Sequence, residues 1–352
     1  MGKRVLITGL GGFWGGRAAE ALERDTDVEM IVGLDTQEPT VELERTEYVR
    51  ADSSYSILAR IVEATQVDTI LHTFLEMDST RISGRALHEI NVIGTMNLLA
   101  AASAPGSSVR HIVVKSSTLV YGSNREDPAW FREEMTRRKP PRTRVERSLL
   151  EVEGYLRDFA EDNPHVVVSL MRFSNVLGTD IQTPLSRALE LPIVPHIAGF
   201  DPLLQFTEED DVVRSMEFVM RNRIPGIFNV AGDGKIPWSE VVSICGKRTF
   251  PITPFGTGVV ASLLDTMRVV EWPPEVLDLL RYGRGVDNRR LKRAGFAYRH
   301  TSAGAVESFV QASRLRKTVG DSLPDYHYER DVENFFRHSP AVVRDGRTTT
   351  DV

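Results

Sequence analysis

The sequence predicts an α/β fold: a doubly wound parallel sheet carrying a smaller, mostly C-terminal α/β lobe. Two observations carry that expectation. Short β-branched apolar runs alternate with helical segments through the first half, and a glycine-punctuated turn follows the first run. Continuous apolar runs bounded by turn signals read as strands buried on both faces. Strand–helix alternation implies right-handed crossovers with helices on both sides of the sheet. The 352 residues, 41% of them hydrophobic, suffice for a large core.

The elements follow in order. Strands are predicted over 4–8, 29–34, 69–74, 110–115 and 166–171, and helices over 16–24, 56–65, 84–102 and 147–161. Beyond them, 208–220 reads as a helix with Val212, Met216 and Val219 on one face, and 226–230 as a further strand. Two helices, 258–270 and 274–280, flank Glu271-Trp272-Pro273-Pro274. The first carries Val260, Leu263, Leu264 and Met267 at helical spacing, which fits lid or core packing, with membrane-surface binding as the alternative. A last helix over 303–313 is expected to bury Val306, Phe309 and Val310. Residues from 326 on are charged and polar and read as a poorly ordered tail. This divides the chain into a nucleotide-binding domain (1–178, with 207–233 returning to it), a substrate lobe (179–206 and 234–325) and the tail (326–352).

Composition excludes several classes. The net charge of −6 argues against a nucleic-acid footprint. The one dense basic run, Thr136 to Arg144, reads as a solvated loop or as a contact for an anionic ligand. A single cysteine, Cys245, leaves no disulfide framework and no multi-cysteine metal site, and it fits a reducing, cytoplasmic setting. The opening run is too short and glycine-rich for a leader peptide, and no stretch of about 18 uncharged apolar residues predicts a membrane span.

RVLITGLGGFWGG, residues 4–16, is the most informative segment. Thr8 and Gly9 close the first strand, and Gly12 and Gly15 follow at intervals of three. Glycines there permit the strand-to-helix turn, let the backbone approach a pyrophosphate, and let helix and sheet pack closely. The helix N-terminus then presents free N–H groups and the positive dipole end to phosphate, and Phe13 and Trp14, in the turn before it, are candidate cofactor contacts. Asp35 ends the second strand 20 residues after Gly15. A carboxylate there accepts from ribose hydroxyls and repels a 2′-phosphate, so NAD is expected rather than NADP. Asp52 is a candidate contact for the adenine amine, and His72 for the cofactor at the end of the 69–74 strand.

Seven segments together resemble the extended short-chain dehydrogenase/reductases, and more narrowly the NAD-dependent epimerase/dehydratase family that includes UDP-glucose 4-epimerase. They are TGLGGFWG (8–15), ILH (70–72), EINVIGTMNLL (89–99), VVKSSTLVYG (113–122), RFSNVLG (172–178), FTEEDDV (206–212) and GIFNVAGDG (226–234). The resemblance implies a Rossmann fold, bound NAD, and a nucleotide-sugar or related hydroxyl substrate. It also implies a homodimer through the helices 84–102 and 147–161. In that chemistry a sugar carbon gives hydride to NAD, a tyrosinate takes the hydroxyl proton, and a lysine lowers the tyrosine pKa. Ser117 matches the serine that orients substrate, Asn91 the helix asparagine beneath the site, and Asn175 a residue that touches the substrate diphosphate. Tyr121 matches a packing tyrosine, and Asp211 a helix-capping aspartate.

The catalytic pair is the point of departure. No tyrosine lies between Gly122 and Gly154, and Lys139 is the only lysine. Counted back from Glu151, the tyrosine and lysine positions fall on Thr143 and Arg147; counted from Glu153, they fall on Val145 and Leu149. Thr73, Phe74 and Leu75 replace small residues after His72, and Leu204 replaces a phosphate-binding arginine, for which Arg281 or Arg284 are substitutes. Glu76, Lys115 and His72, near the ends of central strands, and Tyr155, further along the helix, are the candidates for a relocated base. Three readings follow: an epimerase/dehydratase-type enzyme, a catalytically degenerate NAD(H)-binding regulator or scaffold, and an oxidoreductase acting on an apolar hydroxyl compound. No metal site is expected.

Overall fold

The computed structural model describes residues 2–78, 82–252 and 273–319. The first half runs β1 (Lys3–Thr8), α1 (Phe13–Glu23), β2 (Val28–Asp35), β3 (Thr46–Arg50), α2 (Tyr55–Thr65), β4 (Thr69–His72), α3 (Gly84–His88), α4 (Gly94–Ala102), β5 (His111–Ser117), α5 (Arg144–Asp162) and β6 (Val167–Phe173). The second half follows with β7 (Asn175–Leu177), α6 (Pro184–Glu190), β8 (Ile193–Ile197), β9 (Leu203–Leu204), β10 (Phe206–Glu208), α7 (Glu209–Asn222) and β11 (Gly226–Val230). Then come β12 (Ile236–Pro237), α8 (Trp238–Ile244), β13 (Arg248–Ile252), α9 (Pro274–Tyr282), α10 (Arg289–Arg293) and α11 (Ser302–Val319). The chain falls into two compact units, residues 1–309 and 310–352. The described part of the second, 310–319, continues α11. The helix expected over 258–270 and the tail from 326 lie outside the described residues.

Seven parallel strands form one sheet in the order β3-β2-β1-β4-β5-β6-β11. The order reverses between β1 and β4. In doubly wound sheets the crevice outside the strand carboxyl ends at such a reversal is where ligands bind. Side chains alternate between two core layers, as a period of two requires. In β1, Leu6 packs into the layer built by α2, α4 and α5, while Val5 and Ile7 pack into the layer of α1 and α7. In β5, Ile112 and Val114 face the first layer and Val113 the second.

Local chemistry explains the element ends. Thr143 caps α5, accepting from the Glu146 N–H while the Glu146 carboxylate accepts from the Thr143 N–H. That capping box starts the helix three residues before the predicted 147. The expected helix over 84–102 is interrupted by a π turn, Glu89–Ile93, holding Asn91. Edge strand β3 escapes the apolar-run criterion because TEYVR is only half-buried. The pairs β7–β10, β8–β13 and β9–β12 are too short to leave a period in the sequence. Among the described residues no helix is long and apolar enough to cross a membrane.

Candidate cofactor and active site

Gly9 leaves β1 with φ +85°, and its N–H donates to the Leu34 carbonyl at 2.9 Å. A side chain is strained in that conformation. At Gly15 the constraint is space: a Cβ there would lie 2.0 Å from the Gly9 carbonyl oxygen. Strand and helix therefore meet backbone to backbone. Helix α1 begins at Phe13 with Gly12 as an extended N-cap, no side-chain cap and no acidic residue in its first turn. Its leading N–H groups and positive dipole end face the crevice without a side-chain acceptor, as an anion requires. Phe13 and Trp14 stack edge-on at 4.9 Å beside it.

Asp35 is buried at the end of β2. Its Oδ2 accepts from Gly11 N and its Oδ1 from Gln37 N, both at 3.0 Å. The carboxylate is thus held at the lip of the glycine turn, and each oxygen retains lone-pair capacity for a ribose hydroxyl. A small cavity opens there, lined by Asp35 with Ala51, Ser53, Leu58, Phe74 and Leu98 among others. Asp52 is not part of that lining. It is exposed and its Oδ1 accepts from Ser54 N, fixing the turn into α2. Thr8 and His72 line the cavity floor as a bonded pair: Thr8 Oγ1 lies 2.6 Å from His72 Nδ1, and Thr95 Oγ1 lies 3.0 Å from Nε2. Burial pushes the His72 pKa down to about 4. With both nitrogens engaged and the ring neutral, His72 is not an available base. Phe74 lines this cavity, and Leu204 is fully buried.

The end of β5 gathers the residues of the other half. The Ser117 oxygen accepts from Leu119 N at 3.2 Å, capping the 3₁₀ turn Thr118–Tyr121, and its O–H remains able to donate. Ser116 points into the α5 layer and donates to Glu153 at 2.9 Å. Arg172 of β6 donates to both Glu153 oxygens, to the Tyr121 hydroxyl at 2.6 Å and to the Glu133 carbonyl. Tyr121 donates in turn to Asn229 and stacks on Phe131. That places it in a structural network, as expected of a packing tyrosine. Asn91 is fully buried and satisfied: Oδ1 accepts from Glu76 N, and Nδ2 donates to the Glu76 carbonyl and to Ser148. Its expected substrate contact is therefore corrected to a brace between the loop after β4 and α5. Asn175 is half-buried and donates to the Gln205 carbonyl at 2.9 Å, leaving its own carbonyl oxygen toward other partners.

Two arginines converge on the turn after β5. Arg284, bridged to Leu204 through the backbone, is buried and donates to the Gly122 carbonyl at 3.2 Å. Burial lowers its pKa to about 10, so it stays charged at neutral pH. Arg137 pairs with Glu146 at 3.0 Å, and its guanidinium lies where a Cβ on Gly122 would fall. The basic run thus contributes one inward-facing arginine to this turn. The sequence contained these residues, but no spacing signal pointed from 137 or 284 to Gly122.

The pattern of the NAD dependent epimerase/dehydratase family matches residues 5–231. The chain belongs to this family. It is also similar to an uncharacterized protein of Mycobacterium tuberculosis, 32% identical over 324 residues, covering 90% of this chain and 86% of that one. Among solved structures, a dTDP-glucose 4,6-dehydratase of Bacillus anthracis in complex with NAD has a TM-score of 0.67 at 18% identity, covering 90% of this chain and 98% of that one. A Thermotoga maritima UDP-glucose 4-epimerase with UDP-glucose has a TM-score of 0.67 at 18% identity, covering 90% and 99%. At such identities the structural likeness speaks for the fold.

The tyrosine and lysine positions are counted back along α5 from two alternative glutamates, and these differ in burial. Glu151 is exposed, whereas Glu153 is buried against Arg172 and Ser116. Counting from Glu153 places the pair at Val145 and Leu149, both fully buried apolar side chains. The assignments to Thr143 and Arg147 are corrected accordingly. Thr143 is the helix cap and Arg147 is exposed. Thr143→Ala is expected to cost about 1 kcal/mol of stability and to leave dinucleotide affinity unchanged. Calorimetry paired with thermal melting checks both, and a large loss of affinity at unchanged stability contradicts the capping assignment.

Proposed function

We propose that this chain holds NAD in the crevice at the β1–β4 reversal and performs epimerase/dehydratase-type chemistry on a hydroxyl substrate, a nucleotide sugar or a related compound. The observation that carries the reading is the unclaimed α1 N-terminus beside a buried Asp35 carboxylate held by the glycine turn. Those residues fit a dinucleotide: donors for the pyrophosphate and an acceptor for the ribose. When bound, NAD supplies the hydride acceptor. Asp35 accepts from the ribose hydroxyls and excludes a 2′-phosphate. Ser117 donates to the substrate oxygen, and Asn175 with Arg284 faces the polar remainder. A homodimer through α4 and α5 accompanies this reading, since Met96 and Tyr155 are 40% and 39% exposed on those helices; sedimentation at the monomer mass removes it.

The test of the reaction is incubation of the purified chain with NAD and a panel of UDP- and dTDP-hexoses, followed by product analysis. Sugar conversion is expected; no product and no absorbance of reduced cofactor across the panel would sink the enzymatic reading. One observation favours a second reading, a catalytically degenerate NAD(H)-binding regulator: the positions of the tyrosine and lysine are sealed apolar core. It predicts dinucleotide binding without turnover. For cofactor choice, Asp35→Asn is expected to narrow the preference for NAD over NADP by at least about tenfold, the scale of one charge-assisted hydrogen bond plus a lost repulsion. Competition calorimetry measures it, and an unchanged preference contradicts the role of Asp35.

A further inference from the structure

We propose that Lys115 is the proton-carrying group of the nicotinamide half of this site, an amine opposite the oxidised ring and an ammonium opposite the reduced one. The inference rests on reading the crevice as a NAD site. Asp35 fixes the adenosine half over β2. The other half of a dinucleotide spanning the reversal then lies beyond β1, over the ends of β4 and β5. Lys115 is in that end of β5, two residues before Ser117 and, by strand alternation, on the same face.

Its burial makes the ammonium easier to deprotonate than that of an exposed lysine. Lys115 is 6% exposed. Trp14, at the start of α1, faces it with the ring centroid 5.5 Å from Nζ. Met171 pairs beside it on β6, and Val212 and Met216 of α7 belong to that layer; none carries charge. Arg17 of α1 and Asp210 of α7 pair with each other at the surface. His72 of β4 is engaged by Thr8 and Thr95. Glu76, on the loop after β4, is the charged group acting on Lys115, and it favours the ammonium. Burial outweighs it and lowers the Lys115 pKa to about 8. A positive nicotinamide ring lowers it further, and a neutral reduced ring does not.

The proton balance follows. Oxidation of a secondary alcohol to a carbonyl breaks one C–H and one O–H bond. The hydride equivalent goes to the nicotinamide, the named oxidant, and the proton goes to Nζ, so the ring loses the positive charge that Lys115 gains. Val145 and Leu149 can take no proton, His72 has no free nitrogen, Ser117 cannot hold charge, and Glu76 is turned into its own loop, where its Oε1 accepts from Met77 N and Asp78 N; Lys115 is thus the acceptor assigned on this face.

Binding tests the assignment without any substrate. Calorimetry of the full chain with NAD⁺ and with NADH, from roughly pH 6 to roughly pH 9, reads the linkage. NAD⁺ must displace the Lys115 proton, so its affinity is expected to rise with pH, by up to about tenfold per unit, and level off above the Lys115 pKa. NADH affinity is expected to stay flat over the lower part of that range. Lys115→Met removes the NAD⁺ slope. Lys115→Arg keeps a fixed charge and weakens NAD⁺ relative to NADH at every pH, by about tenfold or more. Glu208, which burial raises to about 7, remains in both variants, so a slope persisting in Lys115→Met belongs elsewhere and overturns the proposal. Flat NAD⁺ affinity in the wild type also overturns it. Absence of binding by either nucleotide instead removes the NAD reading itself. If Lys115→Met fails to fold, the wild-type slope and Lys115→Arg decide.

Discussion

Glu153→Ala is expected to destabilise the protein by about 3–5 kcal/mol, because it leaves the Arg172 guanidinium buried with its charge uncompensated. The pair is deep in the fold, with side-chain exposures of 7% and 4%. Arg172 would keep only the Tyr121 hydroxyl and the Glu133 carbonyl, both neutral acceptors. For a chain of this size each kcal/mol moves the melting temperature by roughly 1.5 °C, so a fall of about 4–7 °C is expected. Replacing both partners, Glu153→Leu with Arg172→Met, should recover most of that loss, since removing a buried pair together also removes its desolvation cost. Thermal melting of the three variants checks this. A fall below about 2 °C for the single substitution would show that Arg172 finds another partner.

The second large effect is at the glycine turn. Gly15→Ala places a methyl 2.0 Å from the Gly9 oxygen and 2.6 Å from the Gly9 carbon. Both are backbone atoms, so no side chain can swing away, and α1 must withdraw from β1. Overpacking of this kind costs about 1–3 kcal/mol. The same withdrawal moves the N–H groups at the start of α1 away from a bound pyrophosphate. NAD affinity is expected to fall by about 100-fold, the equivalent of about 3 kcal/mol. Gly154→Ala is the matched control: nothing lies within 4 Å of its Cβ, and it sits inside α5. That variant should be neutral to stabilising, by up to about 1 kcal/mol, with NAD affinity unchanged. Calorimetry and melting of the two variants decide. If Gly15→Ala binds NAD within about threefold of the wild type, the close approach of helix and strand is not what shapes the site.

The nucleotide half of the site was readable because its logic is local. Gly9, Gly12, Gly15 and Asp35 lie on one β-α-β unit, where spacing along the chain fixes position in space. The main sheet was readable for a similar reason, except for β3, whose half-exposed edge position leaves no apolar run. The second half of the fold was less legible, because its paired strands are two to five residues long. Asn91 carried the right residue type for a ligand contact. Its amide is instead engaged by Glu76 and Ser148, partners that only folding supplies.

A doubly wound sheet, a glycine turn with an acidic residue at the end of the second strand, and the lack of a tyrosine between Gly122 and Gly154 can all be read along the chain. Which of two glutamates on α5 is buried, and what it meets there, emerges on folding. Glu151 and Glu153 are two residues apart, which on a helix is about 200° of rotation, so they face nearly opposite ways. Which one faces the sheet depends on Arg172, a residue of another strand, and that choice puts Val145 and Leu149 in the core. The same strand pairing turns Lys115 toward Trp14, because the direction of a side chain is set by the layers that close over it.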